Sequence, residues 1–156
     1  MDFKNTKELN AAAVAFRAAG DKESLEDIAK TYHIDEEDLM DFLDGGEELA
    51  TPLQLALATI EDAKAILNTK GVLADWMGTL ETMAATSEEL AEKITFSSLE
   101  PWNQIKDLLG KILKEAFDSK VQVDDRIAEA AGLRTPLYLG IPGNKEIKKL
   151  IEEFYA

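Results

Sequence analysis

Residues 21–50 read DKESLEDIAKTYHIDEEDLMDFLDGGEELA. Apolar residues recur in this segment every three or four positions, which predicts two amphipathic helices separated by a short turn. We expect the first helix to begin at Ser24, where Ser-Leu-Glu-Asp resembles a capping box. We expect the second to take Asp35 as its N-cap and to end at Gly45. The buried positions of the two helices are then Leu25, Ile28, Tyr32, Leu39, Phe42 and Leu43.

The same segment is strongly acidic, although its helix lengths and turn are those of a helix-turn-helix. It contains twelve carboxylates and two lysines, so it carries −10 of the chain's net charge of −14 and leaves −4 for all other residues. A helix-turn-helix that reads DNA needs Arg, Lys, Asn or Gln on its second helix and lysines that contact phosphates. The corresponding face here offers Glu37, Asp38, Asp41 and Asp44. Because phosphate neutralisation dominates the affinity for DNA, we expect no direct DNA binding by this unit.

These acidic residues have two interpretations. In the first, they cap helices and keep the surface solvated, which suits residues 35–38 because negative charge is favourable in the first turn of a helix. In the second, they form a binding surface. Asp41 and Asp44 favour the second, since they lie near a helix C-terminus and like charges three or four positions apart cost about 0.2–0.5 kcal/mol per pair. The candidate partner-binding residues, here called the acidic patch, are Glu36, Glu37, Asp38, Asp41, Asp44, Glu47 and Glu48.

The rest of the chain predicts further helices. Thr51-Pro52 is a start signal, a cap followed by proline at the first helical position, for a helix that reaches Thr69 or Lys70. Residues 136–143, PLYLGIPG, contain too many prolines and glycines for a helix and are expected to form a loop or a single short strand. We therefore predict an all-α fold, a compact domain of about seven to eight helices. It would have an N-terminal acidic helical subdomain at residues 1–49 and a C-terminal helical subdomain at residues 50–156, packed as one unit.

Several kinds of chemical site are not expected from this sequence. The chain has no cysteine and one histidine, His33, which we interpret as a turn residue. Adjacent carboxylates point to different sides of a helix, and the acidic run lacks the spacing of a calcium loop. We therefore expect neither an enzyme nor a cofactor or metal site. Residues 140–145 place glycines and a lysine before a helix, which favours a structural turn over an anion site because the P-loop pattern is absent.

The polar N-terminal segment and the net charge indicate where the protein is located and which charge its partner carries. No apolar run exceeds about six residues, so we expect neither a signal peptide nor a membrane span. The negative charge disfavours contact with nucleic-acid backbones and anionic membranes and favours basic partners. We expect a complete cytoplasmic protein that binds a basic protein surface.

Several short motifs follow one another in a recognisable order. They are IDEED at 34–38, FLDG at 42–45, LATPL at 49–53, KGVLADW at 70–76, AAG at 130–132, LGIPG at 139–143 and FY at 154–155. In the order and spacing of these motifs the chain resembles the PcfK-like family of bacterial mobile-element proteins. One branch of that family is known as inhibitors of type II CRISPR-Cas nucleases. The segment KEAFD at 114–118 departs from the pattern, because relatives tend to be richer there in basic and aromatic residues.

The resemblance implies an anti-CRISPR protein that binds a type II CRISPR-Cas nuclease with its guide RNA and inhibits it without catalysis. The acidic patch would then occupy a basic nucleic-acid-binding groove in place of phosphates. The broader family implies an alternative, a non-enzymatic accessory protein of conjugation or plasmid maintenance that acts through protein–protein contacts. A transcription regulator whose helix-turn-helix now mediates protein contacts is a third possibility. The resemblance supplies no catalytic residues.

Overall fold

The computed structural model describes residues 2–156 and is mostly helical. Its helices are α1 Thr6–Ala18, α2 Lys22–Thr31, α3 Glu36–Leu43, α4 Pro52–Leu67, α5 Val72–Thr86, α6 Glu88–Phe96, α7 Pro101–Asp118, α8 Asp125–Ala130 and α9 Asn144–Phe154. Two short strands, β1 Val121–Val123 and β2 Leu137–Leu139, flank α8. The predicted all-α fold is confirmed. The described part of the chain contains nine helices, slightly more than the seven to eight expected.

Short polar side chains begin most of the helices, as local capping chemistry requires. Asp35 accepts a hydrogen bond from the Asp38 amide, and Thr51 forms a full capping box with Gln54. Both of these predicted starts are confirmed. The predicted start of α2 at Ser24 is wrong by one turn, because Asp21 accepts from both the amide and the hydroxyl of Ser24 and is the actual N-cap.

Two hydrophobic clusters lie side by side and meet along α4. The smaller joins α1, α2 and α3, with Phe42 fully buried, and reaches α4 through Leu55. The larger is built on α4, α5, α6, α7 and α9. Adjacent residues Leu55 and Ala56 thus belong to different clusters. The division into subdomains at residue 49 stays a prediction, but this packing ties the acidic helices to the rest of the chain.

The small sheet lies in the C-terminal region. β1 and β2 pair antiparallel, with Val121 opposite Leu139 and Val123 opposite Leu137. The expected loop or short strand at residues 136–143 contains β2, whereas its partner β1 was not predicted. Gly140 follows β2 and lies so close to α7 that a Cβ there would be 2.6 Å from the Ala116 carbonyl oxygen and 2.7 Å from Lys120 Cα. The absence of a side chain at Gly140 therefore allows the sheet to pack on the end of α7.

Candidate functional site

The acidic patch follows α3 and the loop after it. Glu36, Glu37 and Asp38 form the first turn of α3, and Asp44 is its C-cap. Glu47 and Glu48 lie in the loop that leads to α4. Six of the seven side chains are exposed and only Asp38 is half-buried. The sequence-predicted residues therefore lie on α3 and the loop that follows it.

No basic side chain within residues 2–156 neutralises this patch. None of its seven carboxylates lies within 4.0 Å of a lysine, arginine or histidine nitrogen of that part of the chain. The two lysines in the segment do not change this, since Lys22 approaches Glu26, at 3.9 Å, and Lys30 lies in the last turn of α2. The patch consequently presents its charge to solvent.

Arg17 of α1 lies against the end of the acidic helix, but it contacts no carboxylate in an ion pair. Its Nη1 donates to the backbone carbonyls of Phe42 and Gly46, each at 2.7 Å. Its guanidinium carbon lies 4.1 Å from the centre of the Phe42 ring. A cation in this position offsets the negative end of the α3 dipole. It also adds a donor to the carbonyl of Phe42, which already accepts from the Gly45 amide at 3.1 Å, and to the carbonyl of Gly46 in the loop after α3. Arg17 thereby fixes the end of α3 without pairing with the acids around it.

Asn10, also on α1, holds the next part of the loop. Its Oδ1 accepts from the amides of Leu49, at 2.9 Å, and Ala50, at 3.2 Å, while its Nδ2 donates to the Ala50 carbonyl at 2.8 Å. Asn10, Ala13 and Arg17 are spaced three and four apart and so follow one face of α1. Sequence reasoning missed Asn10 and Arg17. The available signal was their helical spacing with the buried Ala13, which places polar groups on a core-facing stripe.

The carboxylates of the patch do not all face the same way. Glu36 and Asp44 line a groove of about 460 Å³ between α2 and α3. Asp38 instead lines a separate cavity of about 230 Å³, bounded by His33 and the first turns of α4. Burial, followed by the nearby charges of Asp35 and Asp41, raises the pKa of the Asp38 carboxyl. The patch therefore wraps around α3 and does not form a single plane.

His33 is a turn residue, as interpreted from the sequence. Its φ of 58° lies in the left-handed region, and the Ile34 amide donates to the Ala29 carbonyl across it. This bond closes a Schellman motif at the end of α2. The imidazole Nε2 lies 3.4 Å from Asp62 Oδ2 of α4. His33 therefore forms the turn between α2 and α3 and also contacts α4.

The structure also bears on the metal site, the anion site and the membrane span considered from the sequence. Within residues 2–156 no three or more His, Asp or Glu side chains are grouped so that they could hold a metal ion. Gly140 has the packing role given above, and Gly143 precedes α9 with no side-chain cap. In the same residues, no helix is both long enough and apolar enough to cross a bilayer.

The acidic patch as a whole presents unpaired carboxylates on a backbone that side chains of α1 hold in place. Such a surface attracts cations, and its field extends over roughly a Debye length of 8 Å at physiological salt. Lysine- and arginine-rich protein surfaces are its natural complement. Comparisons of the chain with protein-family models, with curated proteins and with solved structures found no match.

Proposed function

We propose that this chain is a non-catalytic inhibitor that binds a type II CRISPR-Cas nuclease carrying its guide RNA. The observation that carries the proposal is the concentration of exposed, unneutralised carboxylates on α3 and the following loop. The resemblance of the motif order to that of the PcfK-like family supports the same assignment. The patch would occupy a basic groove of the nuclease that otherwise holds nucleic acid.

The physical basis is complementarity of charge. A type II nuclease reads its short adjacent motif with arginines and holds nucleic acid in positively charged channels. A protein with a local charge of −10 would be steered to such channels by long-range attraction. The same charge repels DNA, so competition for the nuclease is favoured over competition for its substrate.

The hydrogen bonds that hold the backbone of this surface also support the proposal. Arg17 fixes the end of α3, and Asn10 fixes the loop that carries Glu47 and Glu48. A partner that binds these carboxylates does not have to order the backbone first, so less conformational entropy is lost on association. Preorganised charge of this kind is suited to stoichiometric inhibition.

Target-DNA cleavage by several purified type II nucleases tests the proposal. Each nuclease is titrated with the protein before and after guide loading. We expect inhibition that saturates near one equivalent with at least one nuclease, and a dependence on the order of addition would identify the blocked step. Binding to conjugation proteins without any inhibition of cleavage would overturn the proposal in favour of the accessory role.

A further inference from the structure

The groove between α2 and α3 combines an apolar floor with an acidic rim. Its volume is about 460 Å³. The groove is lined by three apolar residues, here called the floor, and by four charged residues, here called the rim. The floor is Leu39, Met40 and Leu43, and the rim is Lys22, Glu26, Glu36 and Asp44. Apolar side chains and carboxylates therefore line the same concave site.

Met40 is the most accessible part of the floor. The residue is 55% exposed, whereas its neighbour Leu39 is 8% exposed and belongs to the core. A single exposed apolar residue is ordinary on a protein surface. Here, however, the residue lies in a concave site between two helices, and methionine adapts its flexible, polarisable side chain to varied partners. The floor is therefore suited to an inserted apolar side chain.

The charge of the rim determines which charge a bound partner must carry. Lys22 is the one base that lines the groove, and it approaches Glu26 at 3.9 Å with both side chains more than half exposed. Exposed pairs of this kind are weak. Glu36 and Asp44 have no basic partner within 4.0 Å among residues 2–156. Two unpaired carboxylates thus flank the apolar floor along α3.

We propose that this groove binds a basic amphipathic helix of the partner protein. An apolar side chain of that helix packs on Met40 and Leu43, while lysines or arginines on either side of it reach Glu36 and Asp44. The two carboxylates are eight positions apart, about 12 Å along α3. Basic residues four positions before and after the apolar anchor match that distance and share its face. The inference rests on the proposed function and specifies the contact through which it would operate.

A synthetic helix tests the groove without the nuclease. The probe is an alanine-based peptide of about fifteen residues with one leucine and lysines four positions before and after it. Binding is followed by backbone amide NMR shifts of the intact protein. We expect shifts confined to α2 and α3, and a dissociation constant about fivefold weaker when both lysines are replaced by glutamine. Shifts centred elsewhere, or equal affinity for the glutamine peptide, would overturn the proposal.

A matched pair of variants sharpens the test. Met40→Gln keeps a good helix former at an exposed position and should weaken peptide binding about fivefold. Leu113→Gln is the control, because Leu113 of α7 is 54% exposed and lies outside the groove. Equal peptide affinity of the Met40→Gln variant and the unaltered protein would contradict the inference.

The nuclease distinguishes failure of the groove from failure of the function. If a guide-loaded nuclease is inhibited equally by the unaltered protein and by Met40→Gln, the groove assignment is wrong and the proposed function stands. If the peptide binds at the groove but no nuclease is inhibited, the groove assignment stands and the proposed function is wrong. Weaker inhibition by Met40→Gln, with Leu113→Gln unchanged, supports both.

Discussion

The guanidinium of Arg17 lies 4.1 Å from the centre of the Phe42 ring while its Nη1 donates to the Phe42 carbonyl at 2.7 Å. One side chain of α1 therefore contacts both the buried ring and the C-terminal backbone of α3. The arrangement explains how an arginine can lie beside a strongly acidic helix and leave its carboxylates unpaired.

Replacement of Arg17 should destabilise the acidic helices. Arg17→Met removes hydrogen bonds to two carbonyls and a cation–π contact, so we expect the free energy of unfolding to fall by about 2 kcal/mol. Urea denaturation followed by circular dichroism measures the change. Lys7→Met on the exposed face of the same helix is the control and should alter stability by less than about 0.5 kcal/mol. Equal effects of the two variants would contradict this role for Arg17.

Two glycines near α7 should respond to alanine with opposite signs. Gly140→Ala places a Cβ 2.6 Å from a backbone oxygen, so we expect a loss of about 1–3 kcal/mol. Gly110→Ala, inside α7, places a Cβ within 4 Å of no atom beyond its own stretch of helix and should gain about 0.5–1 kcal/mol through helix propensity. Denaturant unfolding of both variants provides the comparison. If Gly140→Ala left the free energy of unfolding unchanged, the close approach of the sheet to α7 would not be needed for stability.

Asp38 should make stability fall as pH rises through the acid range. Its pKa is raised in the folded state, so the folded state holds this proton more tightly than the unfolded state does. Stability from this group is therefore greatest below the ordinary aspartate pKa of 3.8 and is lost as pH rises through the raised value. Asp38→Asn should remove that component from urea midpoints measured between about pH 3 and pH 6.

Asp21 provides a control, because its contribution to stability should change with pH in the opposite direction. Hydrogen bonds from the Ser24 side chain, and then from its amide, lower the pKa of the Asp21 carboxyl. Its contribution is present above the ordinary value of 3.8 and is lost as pH falls through the lowered folded-state pKa. The destabilisation caused by Asp21→Asn should consequently shrink toward low pH. Parallel pH profiles for the Asp21 and Asp38 variants would contradict both assignments.

The hydroxyl group of Tyr155 should not be needed for stability. The residue is 5% exposed, and its hydroxyl has no hydrogen-bond partner within residues 2–156. Because an unpaired buried hydroxyl is unfavourable, Tyr155→Phe should leave stability at pH 7 unchanged or raise it by up to about 1 kcal/mol.

The same substitution should protect the fold against alkali. Burial raises the pKa of the Tyr155 phenol, so its contribution to stability is lost as pH rises above the ordinary value of 10.0. Phenylalanine cannot ionise and avoids this loss. Denaturation at neutral and alkaline pH measures the effect, with Tyr138→Phe as the control because Tyr138 is 51% exposed. A clear loss of stability in Tyr155→Phe at pH 7 would indicate a partner for the hydroxyl.

Features that depend on near neighbours in sequence were predictable. The caps at Asp35 and Thr51 act on amides three residues ahead, so local sequence contains the whole interaction. The start of α2 was ambiguous, because Asp21 and Ser24 are both good caps and their mutual hydrogen bonds decide between them. The position of the acidic patch followed from charge counting alone.

Features that depend on distant contacts were not predictable. Arg17 reaches residues 25 and 29 positions away, and Asn10 reaches residues 39 and 40 positions away. Strand β1 has three residues, too few for an alternating pattern to identify it. The α2–α3 groove likewise requires the relative placement of two helices, which the sequence of neither helix specifies.

The proposed binding surface can be tested directly with two fourfold variants of equal charge change. One neutralises the patch through Asp38→Asn, Asp41→Asn, Asp44→Asn and Glu48→Gln. The other neutralises four exposed acids elsewhere through Glu115→Gln, Glu129→Gln, Glu146→Gln and Glu152→Gln. Affinity for an inhibited, guide-loaded nuclease is measured between about 50 and 300 mM salt for both variants and the unaltered protein.

We predict that the patch variant, with its fold intact by circular dichroism, binds about tenfold or more weakly and shows a shallower dependence on salt. The control variant should remain within about threefold of the unaltered protein. Full affinity and an unchanged salt dependence in the patch variant would contradict the assignment of the acidic patch as the nuclease-binding surface.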